Sequence, residues 1–259
     1  MRVVGVDGVR GRWLAALVSL DPEGSAPATV TWDLGSAAAV LGPAAGEDVA
    51  AVGIDVPVGL VPAGHREAEQ QARALLGGSA SSVFATAPQP ALAVARRLGG
   101  TRASRPEADA ASRAAGAGGI STQAWGIADK VLEVEDAVRA LGPAGARVVE
   151  VHPETSFAVM ARHFREPAPA GKRSAAGVAQ RVRPLASTMP SLDVLDALAG
   201  VPTGRGTDAL VPVDDALDAL AAACSALRHA FGQARVLGAG TTAVWSDGSP
   251  APGRAVLVV

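Results

Sequence analysis

The stretch "MRVVGVDGVRGRW" (Met1–Trp13) decides how this chain is read. A run of small apolar residues, Val3-Val4-Gly5-Val6, ends on one carboxylate, Asp7, and a glycine follows it. Such a run predicts a buried strand. Gly8 and Gly11 then supply turn residues, and Trp13-Leu14-Ala15-Ala16-Leu17-Val18 predicts a second strand, so the opening reads as a hairpin. A charge at the end of a buried strand needs a reason, because a carboxylate removed from water without a partner is costly.

Working outward, Ala28–Trp32 predicts a third strand and Ser36–Leu41 a short helix. The stretch "AAVGIDVPVGL" (50–60) repeats the opening pattern: an apolar strand ends in Asp55, and Pro57 and Gly59 break it. Helical patterns follow around 65–76, 89–98, 105–115 and 122–140. "ARVVEVHPE" (146–154) predicts a strand ending in polar residues, and 154–164, 173–186 and 192–199 read as helices. "PVDDALDALAAACSALRHAFG" (212–232) is the strongest helical pattern, with Asp214 expected as its N-cap and Gly232 as its stop. Within it, Leu217, Leu220, Cys224, Leu227 and Phe231 form one apolar stripe. Ala216, Ala219, Ala222, Ala223 and Ala226 form a small-residue face suited to lying close on a sheet. The tail reads as strand, turn and strand. Hairpin strands followed by strands alternating with helices predict an α/β fold with a mixed sheet and helices on both faces. No internal repeat interrupts it, so residues 1–259 read as a single domain.

Composition narrows the function. Hydrophobic residues make up 49% of the 259 and the net charge is −2, which is globular and gives no bulk attraction to nucleic acid. Lys130 and Lys172 are the only lysines among 23 basic side chains. Arginine forks suit phosphate recognition, although an arginine bias also accompanies a chain so rich in Ala, Gly and Pro. The single cysteine, Cys224, excludes an internal disulfide and a Cys-rich zinc site. No apolar stretch reaches membrane-spanning length, and the chain starts directly in a strand, so a cytoplasmic protein that does not enter membranes is expected.

The acids carry the chemistry. In open α/β sheets, sites form beyond the carboxyl ends of the strands. Asp7, Asp55 and Glu150 end three predicted strands, and Asp214, Asp215 and Asp218 start the last helix. Carboxylates gathered on one rim repel unless a cation lies among them, and Mg²⁺ or Mn²⁺ prefers oxygen ligands. Paired ions of this kind serve phosphodiester hydrolysis. Each acid also has a plain structural reading. Asp7 could open a turn with Gly8, Asp55 could cap the turn before Pro57, and Glu150 could be ion-paired at a sheet edge. On the helix, Asp214/Asp218 and Asp215/Asp218 can each share a face, and the capping role given to Asp214 leaves Asp215 and Asp218 for metal.

These residues resemble the ribonuclease H-like superfamily, in which a first-strand Asp precedes a hairpin, a later strand ends in an acid and the last helix starts with Asp. "DDALDALAAA" (214–223) is similar to the corresponding helix of bacterial Holliday-junction resolvases. More specifically, the chain resembles a bacterial and archaeal family, domain of unknown function 429, described as a predicted nuclease. The matching segments are "GVDGVRGRW" (5–13), "GIDVPVGL" (53–60), "SSVF" (81–84), "GISTQAWGIADKVLEVE" (119–135), "EVHPETSF" (150–157) and the 214–223 helix. The resemblance implies one ribonuclease H-like domain with helical insertions and metal on Asp7, Asp55, Asp215 and Asp218. It implies a Mg²⁺- or Mn²⁺-dependent hydrolase acting on a nucleic acid or nucleotide phosphodiester. Three departures bear on substrate recognition. Glu69 stands where Asp is expected, Phe84 is not followed by Pro, and Gln89 replaces an Arg.

The middle segments have no counterpart in simple ribonuclease H folds. Arg66, Ser121, Gln123, Lys130, His152, Glu154 and Lys172, with Arg73, Ser81 and Ser82, read either as a substrate-binding wall or as caps and interhelical hydrogen bonds. His152 is also a candidate base acting through water. No G-x-x-x-x-G-K-[ST] loop and no G-x-S-x-G elbow is present, which argues against P-loop NTPases and serine hydrolases. With 4 Trp, 4 Phe and no Tyr, stacking platforms for single strands are scarce. The alternatives to a nuclease are an actin-like phosphotransferase or nucleotide-binding protein, which shares the Asp-Gly hairpin, and a non-catalytic binding protein on the same fold.

Overall fold

The computed structural model describes residues 1–21, 23, 25–164, 170–202 and 211–259. Its internal contacts gather in two compact units: Met1–Asp55 with Leu141–Arg235 and Val258–Val259, and Val56–Ala140 with Val236–Leu257. The chain opens with β1 (Arg2–Val9), β2 (Arg12–Ser19), β3 (Thr29–Gly35), α1 (Ala37–Leu41) and β4 (Val49–Ile54). It then forms α2 (Glu67–Leu76), α3 (Gln89–Arg97), α4 (Thr101–Ala114), α5 (Thr122–Gly126) and α6 (Ala128–Ala140). β5 (Val148–Glu150), α7 (Pro153–His163), α8 (Ala175–Thr188), α9 (Val194–Ala199) and α10 (Val213–Ala230) follow. The two-residue strands β6 (Val236–Leu237) and β7 (Leu257–Val258) pair with each other.

The first unit is built on a five-stranded sheet in the order β3-β2-β1-β4-β5. β1, β2 and β3 are antiparallel, whereas β4 runs parallel to β1 and to β5, so the sheet is mixed, as the element order predicts. The hairpin turns at Arg10-Gly11, where both residues have positive φ (43° and 78°) and Val9 faces Arg12 across the ladder. Two left-handed residues match the twist of the flanking strands. Asp7 and Gly8 lie inside the ladder, opposite Leu14 and Trp13, which removes the reading of Asp7 as a turn residue.

α10 is the spine of this unit. Its residues from Ala216 to Cys224 are all buried, and Phe157, Leu185 and Met189 of α7, α8 and the turn after α8 belong to the same apolar cluster. The alanine face meets the sheet. A Cβ on Gly5 would lie 1.9 Å from the carbonyl oxygen of Ala219, and one on Gly53 would lie 2.4 Å from that of Ala222. Only a residue without a side chain lets a helix backbone come so close to a strand. Side chains two apart on a strand share a face, so Asp7 follows Gly5, and Asp55 follows Gly53, on the face that α10 covers. Val4 and Val6 point the other way and are also buried, so β1 is covered on both sides. Phe231, expected in the apolar stripe, instead closes the helix C-terminus and is 58% exposed.

In the second unit, α6 presents a buried carboxylate, Glu135, to residue 246. The Ser246 amide donates to both Glu135 oxygens (3.1 and 2.9 Å), and the Ser246 hydroxyl donates to Oε1 (2.7 Å). This pins the tail segment, in which the first expected strand reduces to single bridges between Val244 and Leu60 and between Val244 and Pro250, while the last expected strand survives as the short β7. The sequence pattern over 122–140 is two helices, α5 and α6, broken at Ile127. No described helix is long and apolar enough to cross a membrane.

Candidate functional site

Asp7 and Asp55 leave adjacent parallel strands at the same level. Val6 is registered with Ile54, and the Asp55 amide donates to the Val6 carbonyl (2.9 Å), so the two acids are the next pair along. Parallel neighbours lie about 4.8 Å apart, which puts the acids side by side just past the end of the β1–β4 pairing, while β1 runs on against β2 to Val9. α10 enters over the same edge. Ala219 sits on Gly5, so Asp218, Asp215 and Asp214 precede the contact in the direction in which Asp7 follows it. Glu150 is also buried at this rim, but it is registered with Ile54 and so points to the face away from Asp55.

The carboxylates act on one another electrostatically. Burial raises the Asp7 carboxyl well above the usual range, helped by the charges of Asp55, Asp218 and Asp215, against one lowering hydrogen bond from the Gly8 amide (2.7 Å). Asp55 keeps some solvent contact, yet loss of water together with Asp218, Glu150 and Glu154 pushes it up to about 8. Asp218 is pushed to about 6, chiefly by burial, and Lys172 pulls the other way. Carboxylates with this preference for the proton mark a site short of positive charge.

Among the described residues, Lys172 brings the cation nearest to these acids. The Lys172 ammonium lies 2.9 Å from Oδ2 of Asp218 and 3.7 Å from Oδ2 of Asp214. Burial alone would lower its pKa, but Asp218, Asp214 and Asp7 outweigh that and raise it. The other oxygen of Asp218, Oδ1, is buried without a hydrogen-bond partner. Among the described residues, no group of three or more His, Cys, Asp or Glu side chains is already arranged as a metal cage.

Asp214 corrects the sequence reading. The N-cap position of α10 is Pro212, and no side chain caps the helix. Asp214 lies in the first turn, is buried, and shares Lys172 with Asp218, as residues four apart on a helix do. It belongs to the acidic group and not to the cap.

The flank of the site comes from α7 and α8. His152 is the N-cap of α7, its Nδ1 accepting from the Thr155 amide at 3.3 Å and lying 2.8 Å from the Thr155 hydroxyl. Glu154 receives both hydrogen bonds of one Arg181 nitrogen (2.6 and 2.8 Å). Arg181 itself is buried, lies over the Phe157 ring, and donates to the carbonyls of Ala170 and Gly177. It therefore ties Glu154 to the turn that carries Lys172. Sequence reasoning missed Arg181, because one arginine in "AAGVAQRVRPL" has no local mark separating it from a surface residue. Arg181→Met should cost about 2 kcal/mol in urea unfolding, less than for a fully buried pair because Glu154 keeps partial access to water. A loss below about 0.5 kcal/mol would show that the pair is not a brace.

The remaining predicted wall residues lie in the second unit. Arg66 is buried against Glu69 (3.3 Å) and Thr86 (3.4 Å), and Glu69 also accepts from the Thr86 amide, so these bonds tie the start of α2 to the loop before α3 and are neither caps nor interhelical. Ser121 caps α5 through the Ala124 amide (3.0 Å). Gln123 is exposed on α5 and Lys130 is half-buried on α6.

Fold and site together define an α/β protein whose mixed sheet gathers buried aspartates where two parallel strands meet the start of a helix. The chain belongs to the family described as Protein of unknown function (DUF429), whose model matches residues 5–243. No curated protein and no solved structure matches it significantly.

Proposed function

We propose that the acidic rim binds a divalent cation, Mg²⁺ or Mn²⁺, and that the protein is a metal-dependent phosphodiesterase or nuclease of ribonuclease H-like architecture. The observation that carries this reading is the convergence of Asp7, Asp55 and Asp218 from three separate segments onto one face, with an oxygen of Asp218 left without a partner. The residues fit such an ion chemically. They are hard oxygen donors, and their raised proton affinity reflects a shortage of positive charge. Asp7, Asp55, Asp215 and Asp218 would hold it, with Asp214 beside them. A bound ion of this type supplies an activated water and neutralises charge on a phosphate.

The chain's own contribution is placement. Gly5 and Gly53 bring α10 down onto the sheet, which sets the helix aspartates against the strand aspartates. Arg181 fixes Glu154 and the 170–172 turn at the flank. The positive end of the α10 dipole favours anionic groups at the same place. Incubation of the protein with Mn²⁺ and a panel of DNA, RNA, branched junctions and cyclic nucleotides tests the activity. Cleavage that chelator abolishes and Asp7→Asn removes is the expected result. No cleavage of any member would remove the hydrolase claim and leave only metal binding.

A further inference from the structure

We propose that Lys172 is a resident counter-cation of the acidic rim, exchanged for the divalent metal when the metal enters, and that it thereby sets the metal affinity of the site. The inference rests on the metal-binding reading above. Its starting point is geometric. The Lys172 ammonium touches Oδ2 of Asp218 at 2.9 Å and stands 3.7 Å from Oδ2 of Asp214. A divalent ion bound to Asp218 at about 2.0–2.6 Å would lie within a few ångströms of that ammonium. Like charges that close, in partly buried surroundings, do not coexist without strong repulsion. That repulsion favours withdrawal of the ammonium as the ion enters.

The ammonium neutralises the cluster only in part. Oδ1 of Asp218 stays buried without a hydrogen-bond partner while the ammonium holds only Oδ2. One monovalent charge is thus too little for this rim, which is the condition for a divalent ion to displace it.

The side chain is suited to leaving. The Lys172 side chain is 40% exposed, so an outward path to water exists. Its backbone is held independently of its head group. Arg181 donates to the Ala170 carbonyl (2.9 Å), and both the amide and the hydroxyl of Ser174 donate to the Gly171 carbonyl (2.9 and 2.8 Å). Ser174 in turn caps α8 through the Gly177 amide. The ammonium can therefore withdraw by rotation about its own side-chain bonds while the turn stays in place. Residue type fits the role as well. Lys172 is one of two lysines in a chain that otherwise uses arginine, and an ammonium on a flexible stem releases a carboxylate more readily than a planar guanidinium fork. The neighbouring Arg173 reaches only to 3.8 Å from Asp214 and is 91% exposed.

Two measurements on the full chain, freed of metal by dialysis against chelator, test the exchange. The first is calorimetric titration with MnCl₂ of the wild type, Lys172→Met and Lys172→Arg. Lys172→Met should bind Mn²⁺ at least about tenfold more tightly than the wild type, and Lys172→Arg should stay near or below the wild type. A lysine that only supports the fold would move affinity the other way when removed. The second uses the wild type alone, so it stands even if Lys172→Met fails to fold. The rate of acetylation at each lysine is followed by peptide mass spectrometry with and without saturating Mn²⁺. Lys172 should be labelled several-fold faster with Mn²⁺, and Lys130 on α6 should keep its rate. Mn²⁺ binding with unchanged Lys172 labelling, or with no gain in affinity for Lys172→Met, overturns the exchange and leaves the metal site standing. Absence of Mn²⁺ binding to both the wild type and a folded Lys172→Met overturns the metal reading and the exchange with it.

Discussion

Gly5→Ala is expected to cost at least about 3 kcal/mol of stability, measured by urea unfolding, and to loosen the acidic site as it does so. The added methyl would lie 1.9 Å from the Ala219 carbonyl oxygen and 2.3 Å from the Ala223 amide nitrogen. Both obstacles are backbone atoms of an 18-residue helix buried along most of its length, so no side chain can swing aside. Either α10 lifts from β1 or the strand shifts, and each opens packing on which the apolar cluster of α10 depends. Gly53→Ala should act in the same direction, with 2.4 Å to the Ala222 oxygen. Gly11→Asn supplies the contrast. Gly11 also has a special backbone (φ +78°), but nothing lies within 4 Å of its missing Cβ, and asparagine tolerates this conformation. That change should stay within about 1 kcal/mol of the wild type. A Gly5→Ala protein that unfolds at the wild-type urea midpoint would contradict the close strand–helix contact.

Asp55→Asn should stabilise the metal-free protein at pH 8 by at least about 2 kcal/mol and change little at pH 4. The sign follows from linkage. An unfolded Asp55 releases its proton near its ordinary value of 3.8, whereas the folded one keeps it to about 8. Between these limits the folded state binds more protons, so this group's contribution is complete below pH 4 and is lost as the pH rises towards 8. At about 1.4 kcal/mol per unit, the whole span is on the order of 5 kcal/mol, reduced where a neighbouring acid takes the proton instead. Asparagine imitates the protonated form and removes the penalty. Thermal melts in chelator across this range check the claim. A wild type whose stability climbs from pH 4 to 8, with Asp55→Asn parallel to it, would show that the rim is not short of positive charge.

Much of this arrangement was legible locally. The buried strands that carry Asp7 and lead to Asp55, the hairpin, and the long alanine-faced helix all follow from apolar periodicity and turn residues, which act over a few positions, although β1 runs two residues past Asp7 to Val9. The repeated G-V-D (5–7) and G-I-D (53–55) also held the reason for the close helix contact, since the glycine and the aspartate two residues later share a strand face. What the sequence hid depends on distant partners. Lys172 meets Asp218 across 46 positions, and Arg181 meets Glu154 across 27, and no local pattern links them. Asp214 looked like a cap because Asp before an apolar helix usually is one, but Pro212 takes that position and Lys172 claims the carboxylate. The gathering of the chain into two compact units likewise rests on long-range contacts.

The claim that these aspartates form a divalent-cation site meets its most direct test in calorimetric titration of the metal-free protein with MnCl₂ at pH 6, 7 and 8. Saturable binding is predicted, tightening as the pH rises, because the ion must displace protons that Asp218 and Asp55 hold to about 6 and about 8. Asp218→Asn should weaken it by at least about tenfold, and Asp193→Asn, which alters only the N-cap of α9, should leave it unchanged. No saturable binding at pH 8 with millimolar Mn²⁺, or an Asp218→Asn protein that binds as tightly as the wild type, would contradict the account.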